Sequence, residues 1–286
     1  MKIDPIAAIP ESEASGQTAE LFADLRATLG VPFVNLIWRH LATLPDVLPV
    51  IWERVRPLYV SAELEGRAED LRIAATTVGI EPLPISVWDC AGVDERARIA
   101  VGHLVGDYNR ANSINFLALS TASLILREEG PKAKTRRPPT PVQARAIDGV
   151  APPLLPLGGM PAEVRRLVQS FDELGRLGAS EAIASLLRHL AHWPAFLAVS
   201  YAALLPHHRA GTLQTAQHAL ISEGRGIAAA ELLPLVPADR FALPASSREK
   251  ALAAIDDFTG LMIGRMVVMG TALRRLLAAP EEMVAA

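Results

Sequence analysis

The sequence is poor in the residues on which several kinds of chemistry depend. It has one cysteine, Cys90, among 286 residues, which excludes an intramolecular disulfide and a Cys-x-x-Cys redox pair. It has no glycine-rich phosphate loop, no Gly-x-Ser-x-Gly nucleophile motif, and no cluster of acids and histidines at the spacing of metal ligands. We therefore expect neither a metal nor a cofactor.

The net charge and the length of the most apolar segment argue against nucleic-acid and membrane partners. The formal net charge of −3 provides no electrostatic attraction to nucleic acid or to an anionic membrane. The most apolar segment, LMIGRMVVMGTAL, is interrupted by Arg265 and is too short to span a bilayer. Residues 1–16 contain no apolar run of signal-peptide length, so we expect a cytoplasmic protein with no nucleic-acid or membrane partner.

What the sequence does contain is helical periodicity. Half of its residues are hydrophobic, and residues 17–29 place apolar side chains on one stripe that ends at Gly30. Asp94, and either Ser246 or Ser247, stand where they would cap the N-termini of two long helices. No segment shows sustained alternation with a period of two. We predict an all-α fold.

The chain also resembles itself. Residues 34–48, VNLIWRHLATLPDVL, match residues 183–197, IASLLRHLAHWPAFL, at an offset of 149 (183 − 34). Residues 107–122 match residues 257–272 at an offset of 150 (257 − 107), so the offset persists through whole elements. We predict two tandem helical-bundle repeats that form a pseudo-twofold dimer within one chain.

A proline-rich segment separates the two copies. Residues 130–161 contain eight prolines, which remove helical hydrogen-bond donors, and they show no hydrophobic period. We interpret this segment as a linker between a first helical repeat, residues 1–129, and a second, residues 162–286. A linker of this length allows the second copy to fold back on the first and bury a shared face.

The repeated motif resembles a known enzyme family. The stretches VPFVNLIWRHLATLPDVLP and LLRHLAHWPAFL, the repeat length and the proline-rich linker are similar to those of the group I DL-2-haloacid dehalogenases. The resemblance implies the family's all-α pseudo-dimeric fold, which is distantly similar to the AhpD-like helical proteins. It also implies a homodimer and a small carboxylic acid as the ligand.

The resemblance points to an unusual residue at the position of the family's catalytic base. In that family an aspartate, directly after an Ala-Ser pair and two residues before the repeated arginine, activates the water that displaces halide. Here Ala184 and Ser185 are followed by Leu186, two residues before Arg188. A leucine side chain cannot accept a proton, so the resemblance implies a binding site at Ser185 and Leu186 with altered chemistry.

Further pocket positions carry over from the same resemblance. The family's aromatic and small residues of the first copy correspond here to Phe33, Asn35 and Leu36, where it tends to have tryptophan, a small residue and phenylalanine. The family's asparagine on the central helix corresponds to Asn112, and its tyrosine one turn later is Asn115. These five residues are candidates for substrate binding in a reshaped pocket.

A candidate catalytic pair also follows from the resemblance. Some family members use a hydroxyl residue followed four positions later by a glutamate. Ser61 and Glu65 have that spacing in this sequence. They are the candidates for a catalytic role.

Arg265 is a lone cation in an apolar run. It is the repeat equivalent of Asn115 (265 − 115 = 150). A buried guanidinium needs an anion, because an unpaired buried charge costs several kcal/mol. We predict that Arg265 binds the carboxylate of the ligand; the alternative is an ion pair with an internal acid such as Asp107 or Asp257.

Two histidines lie at equivalent positions of the repeated motif. These are His40 and His189. Equivalence favours a shared structural role, such as a buried hydrogen bond.

Three functions are consistent with these features. The protein is an enzyme of this fold with altered chemistry on a small 2-substituted acid, a genuine hydrolytic DL-2-haloacid dehalogenase that uses another carboxylate, or a noncatalytic protein that binds a small acid. The leucine at position 186 favours the first over the second.

Overall fold

The computed structural model describes residues 6–127, 137–179, 182–237 and 241–278. Within those ranges the named elements are helices, and the β-type pairing is one isolated bridge between Ser61 and Pro141. The prediction of an all-α fold is confirmed. The α-helices are α1 (Gly16–Leu29), α2 (Leu36–Leu41), α3 (Val47–Tyr59), α4 (Ala62–Ala74), α5 (Ile85–Cys90), α6 (Glu95–Leu126), α7 (Ala162–Asp172), α8 (Ser185–Leu190), α9 (Pro194–Arg209), α10 (Thr212–Ile227), α11 (Ala245–Asp257) and α12 (Gly264–Leu277).

Helix ends follow the local chemistry in most places. Helix α1 ends at Gly30, which adopts the left-handed conformation with φ 63°, and the Asp94 side chain caps α6 by accepting from the Ala97 amide at 2.8 Å. The prediction of a serine cap at position 246 or 247 is wrong. Helix α11 begins at Ala245, directly after Pro244, because proline has its φ already near the helical value.

The most extensive helix pairing joins α6 to α12. Gly270 allows this close approach, because a Cβ atom at that position would lie 2.9 Å from the Cβ of Asn109. At the same crossing the Asn109 side-chain amide donates to the Thr271 hydroxyl at 3.1 Å. Although α6 has 32 residues, the described part of the chain contains no helix long and apolar enough to cross a membrane.

A π-helical segment, Phe258–Ile263, joins α11 to α12 without a break in the helical run. In this segment the Thr259 hydroxyl donates to the carbonyl of Ile255 at 2.8 Å. A π-bulge shifts the helical register by one residue and is frequent at functional sites. Here it directs Phe258, Met262 and Ile263 toward the interior of the molecule, beside α6.

The order of elements fits the predicted repeat. Helix α6 begins at Glu95 and the second long helical run begins at Ala245, which is the sequence offset of 150 (245 − 95). The repeat and the three domain boundaries stay predictions. Part of the predicted linker, residues 130–136, lies outside the described residues. Residues 137–161 contain one short 3₁₀ turn, Leu157–Gly159, and no α-helix.

Gly224 of α10 provides a test of the packing between α10 and α6. A Cβ atom at Gly224 would overlap the buried ring of Phe116, whereas one at Gly226, two residues later, would meet nothing within 4 Å. We expect Gly224→Ala to lower the free energy of unfolding by about 1–3 kcal/mol through overpacking. We expect Gly226→Ala to raise it by roughly 0.5–1 kcal/mol through helix propensity. Urea denaturation measures both, and equal effects of the two changes would contradict this packing.

Candidate functional site

A small cavity of about 30 Å³ lies where the N-terminal ends of α2 and α8 meet α6 and the π-helical segment. Five of the residues predicted to bind substrate line it together: Asn35, Leu36, Asn112, Ser185 and Leu186. The remaining lining residues are Ile37, Tyr108, Ala184, Phe258, Met262, Ile263 and Met266. Residues from the two similar stretches, 34–48 and 183–197, therefore contribute to one cavity, and the π-helical segment forms another part of its wall.

Leu186 forms part of the cavity wall at the start of α8. Its side chain is 1% exposed, and its repeat equivalent, Ile37 (186 − 37 = 149), lines the same cavity. The wall at both equivalent positions is therefore aliphatic. The hydroxyl of the preceding residue, Ser185, accepts a hydrogen bond from Arg39 Nη2 at 3.0 Å.

Two amides form a polar part of the wall. The Asn35 Nδ2 atom donates to Asn112 Oδ1 at 3.3 Å, which joins the start of α2 to the middle of α6. The Oδ1 atom of Asn35 is buried and has no hydrogen-bond partner within the described residues. A buried acceptor without a partner costs about 1–3 kcal/mol, so this side of the cavity favours a bound group that can donate a hydrogen bond, such as a water molecule.

Asn115 does not line the cavity. Its Oδ1 atom accepts from Trp38 Nε1 at 3.0 Å and from the Tyr59 hydroxyl at 2.7 Å, and the residue is completely buried. These contacts hold α2 and α3 against α6, behind the cavity wall. Asn115 therefore lies outside the lining of this cavity, and its role in substrate binding stays a prediction.

Arg265 forms the internal ion pair rather than a contact to the cavity. Its Nη2 atom lies 3.0 Å from Oδ1 of Asp172, and its Nη1 atom donates to the carbonyl of the same residue. Asp172 also pairs with Arg176 at 2.5 Å and accepts from the Ala184 amide at 3.2 Å. The predicted alternative is what the structure contains, although the acid is Asp172 and neither Asp107 nor Asp257.

The two catalytic candidates also lie away from this cavity. The Ser61 hydroxyl caps α4, accepting from the Leu64 amide at 3.2 Å and donating to the Leu58 carbonyl. Glu65 forms an ion pair with Arg110, with Oε2 2.7 Å from Nη2. Glu65 lines a separate, charged cavity of about 470 Å³. The structure does not bring Ser61 and Glu65 to the residues around Leu186.

A second, larger cavity of about 760 Å³ adjoins the first. Leu36 lines both cavities. Phe33, which was predicted to line the substrate pocket, lines the larger cavity, as do Arg39, Arg188 and His189. Most residues of the segment 6–12 and of the linker segment 151–156 also line it.

Tyr108 and His189 form a buried pair between the two cavities. The Tyr108 side chain lines the small cavity, and His189 lines the large one. The Tyr108 hydroxyl lies 2.9 Å from Nδ1 of His189, and the Phe33 ring stacks on the Tyr108 ring with centroids 3.9 Å apart. The predicted buried hydrogen bond of His189 is thus present, whereas His40 bonds to the Ala7 carbonyl in an exposed position.

Burial shifts the pKa of both members of this pair toward their neutral forms. It raises the pKa of the Tyr108 hydroxyl well above its usual value, with hydrogen bonding from Ser185 acting in the opposite direction. It lowers the pKa of His189 to about 4, and the neighbouring charges of His192, Arg39 and Arg188 act in the same direction. At neutral pH His189 is therefore uncharged and able to accept a proton.

Comparison with known proteins agrees with this architecture. No family model matches the sequence. Two solved structures align along nearly the whole chain. One is a mutant D-2-haloacid dehalogenase, 20% identical with a TM-score of 0.80, aligned over 96% of this chain and 97% of that one. The other is a mutant D-2-haloacid dehalogenase in complex with D-2-CPA, 19% identical with a TM-score of 0.77, aligned over 98% and 99%.

The protein has the D-2-haloacid dehalogenase fold. Two relatives by sequence are 2-haloacid dehalogenases. A configuration-inverting 2-haloacid dehalogenase of Alcaligenes xylosoxydans xylosoxydans is 27% identical over 196 residues, which are 67% of this chain and 65% of that enzyme. An (R)-2-haloacid dehalogenase of Pseudomonas putida is 32% identical over 65 residues, 23% of this chain and 22% of that enzyme. The matched region is thus less than two thirds of either relative.

Within this D-2-haloacid dehalogenase fold, sequence reasoning missed Tyr108 as a residue of the cavity. A signal was present, because Tyr108 lies four residues before Asn112 and so occupies the same face of α6. The role of His189 had no comparable signal. Its contact with Tyr108 joins residues 81 apart in sequence and depends on how α8 packs against α6.

The buried imidazole of His189 leads to a prediction about how the free energy of unfolding depends on pH. The unfolded chain binds a proton at His189 near pH 6.5, whereas the folded protein does so only near pH 4. We therefore expect the free energy of unfolding to rise by about 3 kcal/mol between pH 4 and pH 6.5 because of this residue. Urea denaturation across that range should give a shallower pH slope for His189→Asn, with His40→Asn as the control for loss of an imidazole. An unchanged slope in His189→Asn would contradict the lowered pKa.

Proposed function

We propose that the protein is a haloacid dehalogenase-like protein that binds a small 2-substituted carboxylic acid in the cavity beside Leu186. The observation that carries the proposal is the convergence of Asn35, Leu36, Asn112, Ser185 and Leu186, from both copies of the repeated motif, on that cavity. The relatives by sequence are 2-haloacid dehalogenases, which supports the same class of ligand.

The chemistry at this cavity differs from that of an enzyme with an aspartate base. None of the described residues that line the cavity is an aspartate or a glutamate. Asp172, the buried acid before α8, already accepts from Arg265, Arg176 and the Ala184 amide. This observation disfavours a hydrolytic dehalogenase that uses another carboxylate, and it favours either a different proton acceptor or a noncatalytic binding protein.

The size of the cavity sets a condition for binding. One water molecule needs about 10–15 Å³, so a cavity of about 30 Å³ holds on the order of two waters. A 2-haloacid is several times larger than a water molecule. Met262 and Met266 are the flexible side chains in the wall, and we propose that their movement admits the acid.

Three further properties belong to this proposal. Activity on both enantiomers, as in the group I DL enzymes, rests on the resemblance of the repeated motif. The homodimer rests on the same resemblance, and the cytoplasmic location stays a prediction. Assays on separate enantiomers and size-exclusion chromatography with light scattering test the first two.

Calorimetric titration tests the binding site. We expect D- and L-2-chloropropionate to bind, and we expect Asn112→Ala to weaken binding about tenfold, because it removes a polar group of the cavity wall. Asn109→Ala is the matched control, because Asn109 lies on the same helix but bonds to Thr271 outside the cavity. Absence of binding by every 2-substituted acid would contradict the proposed function, as would equal effects of the two substitutions.

A second test restores a carboxylate at position 186. We expect Leu186→Asp to increase the rate of halide release from 2-chloropropionate or bromoacetate, because it places a proton acceptor in the cavity wall. Leu186→Asn is the matched control, because asparagine has nearly the same shape as aspartate but does not accept a proton. Burial of the carboxylate costs several kcal/mol, so circular dichroism must verify that the variant is folded. If a folded Leu186→Asp variant binds the acid but releases halide no faster than Leu186→Asn, a carboxylate at position 186 does not act as a proton acceptor in this cavity.

A further inference from the structure

The cavity contains one side chain that can take part in proton transfer at its own wall. Among the described residues that line it, Tyr108 is the single titratable group; the others are apolar residues, asparagines and a serine. Tyr108 is 3% exposed and lies one helical turn from Asn112, on the same wall as Leu186. Its hydroxyl interacts with the side chain of Ser185, which lines the same cavity.

The position of Tyr108 is constrained on two sides. Phe33 stacks on its ring with an interplanar angle of 13°, and His189 Nδ1 lies 2.9 Å from its hydroxyl. Stacking and a buried hydrogen bond limit rotation of the ring and of the hydroxyl. Proton transfer depends on this kind of fixed geometry, with donor and acceptor within about 2.6–3.2 Å of each other.

His189 connects the tyrosine to the larger cavity. His189 lines the cavity of about 760 Å³, whereas Tyr108 lines the small one. A proton accepted from Tyr108 thus has a route away from the small cavity without crossing the ligand. Leu36 lines both cavities.

We propose that Tyr108 is the catalytic proton acceptor of the small cavity, and that His189 is the residue that positions it and takes up its proton. The proposal rests on the function proposed above. In it, the uncharged pair of Tyr108 and His189 takes the role of the carboxylate that position 186 lacks.

The proposed step conserves atoms and charge. A water molecule attacks C2 of the 2-haloacid; the new C–O bond forms as the carbon–halogen bond breaks, and the halide leaves with the bonding electron pair. The water proton passes to the Tyr108 oxygen while the Tyr108 proton passes to Nδ1 of His189, which carries its own proton on Nε2. The imidazolium then loses a proton to water in the larger cavity, and exchange with that water restores the starting tautomer. The products are a 2-hydroxy acid, a halide ion and one proton.

The buried imidazole is available as the final acceptor. Burial first, and then the neighbouring charges, lower the pKa of His189 to about 4, so it is uncharged at neutral pH and can take up the proton that Tyr108 passes on. The charged or titratable groups near the pair are Arg39, Arg188 and His192 beside His189, and Arg39, Arg188 and Glu11 beside Tyr108.

Substitution of Tyr108 tests the catalytic part of the proposal. We expect Tyr108→Phe to lower kcat for halide release about 100-fold and to change KM little, because it removes the proton acceptor and keeps the ring stacked on Phe33. Tyr59→Phe is the matched control, because Tyr59 is also buried but donates to Asn115 behind the cavity wall. We expect Tyr59→Phe to keep kcat within about twofold of the wild type.

The dependence of the rate on pH tests the role of His189. The wild-type kcat should fall as the pH decreases through about 4, because protonation of His189 removes the final acceptor. His189→Asn should lower kcat and abolish that acidic limb, which a purely structural role would leave in place. His40→Asn, at the equivalent position of the first copy, should keep both the rate and the limb.

Each outcome decides between the proposals. A wild type that releases halide, with Tyr108→Phe equally active, overturns the role of Tyr108. A wild type that binds 2-chloropropionate by calorimetry and releases no halide overturns the proton-transfer pair and leaves the proposed binding function standing. A wild type that neither binds nor turns over any of the acids overturns the proposed function and this inference with it.

Discussion

The close packing of α6 against α12 is the constraint on which the site depends. Gly270 allows the two helices to approach at Asn109, where a side-chain hydrogen bond to Thr271 adds direction to the contact. Because α12 continues directly from the π-helical segment, its position also sets where Met262 and Met266 face α6. The cavity is the space that remains between these two central helices and the starts of α2 and α8.

A buried ion pair determines where the second wall of the cavity begins. Asp172 is 1% exposed and Arg265 is 2% exposed, so each charge would be costly without the other. The same carboxylate accepts from the amide of Ala184, directly before Ser185 and the first turn of α8. A cation of α12 and an acid at the end of α7 thus define the position of Leu186. Arg265, the buried arginine of α12, thus helps to hold the site together by pairing with Asp172.

The site combines an aliphatic wall with neutral polar groups. Leu186 and Ile37 supply apolar surface, whereas Asn35, Asn112 and Tyr108 supply amide and hydroxyl groups. Such a wall has no fixed charge of its own, and the nearest cations belong to the larger cavity. An ionised group in this cavity, such as the carboxylate of the proposed ligand, depends on the polar side chains of the wall for its hydrogen bonds.

The sequence by itself determined the helical class, the end of α1 at Gly30, the cap at Asp94 and five residues of the cavity, because these depend on local spacing or on a motif that is contiguous in the chain. It also determined that position 186 has no proton acceptor. Only the tertiary structure decided that Arg265 pairs with Asp172, that Glu65 pairs with Arg110 outside the cavity, and that Tyr108 meets His189. Each of these contacts joins residues at least 45 positions apart, and helical periodicity specifies which face of a helix is apolar but not which partner that face meets.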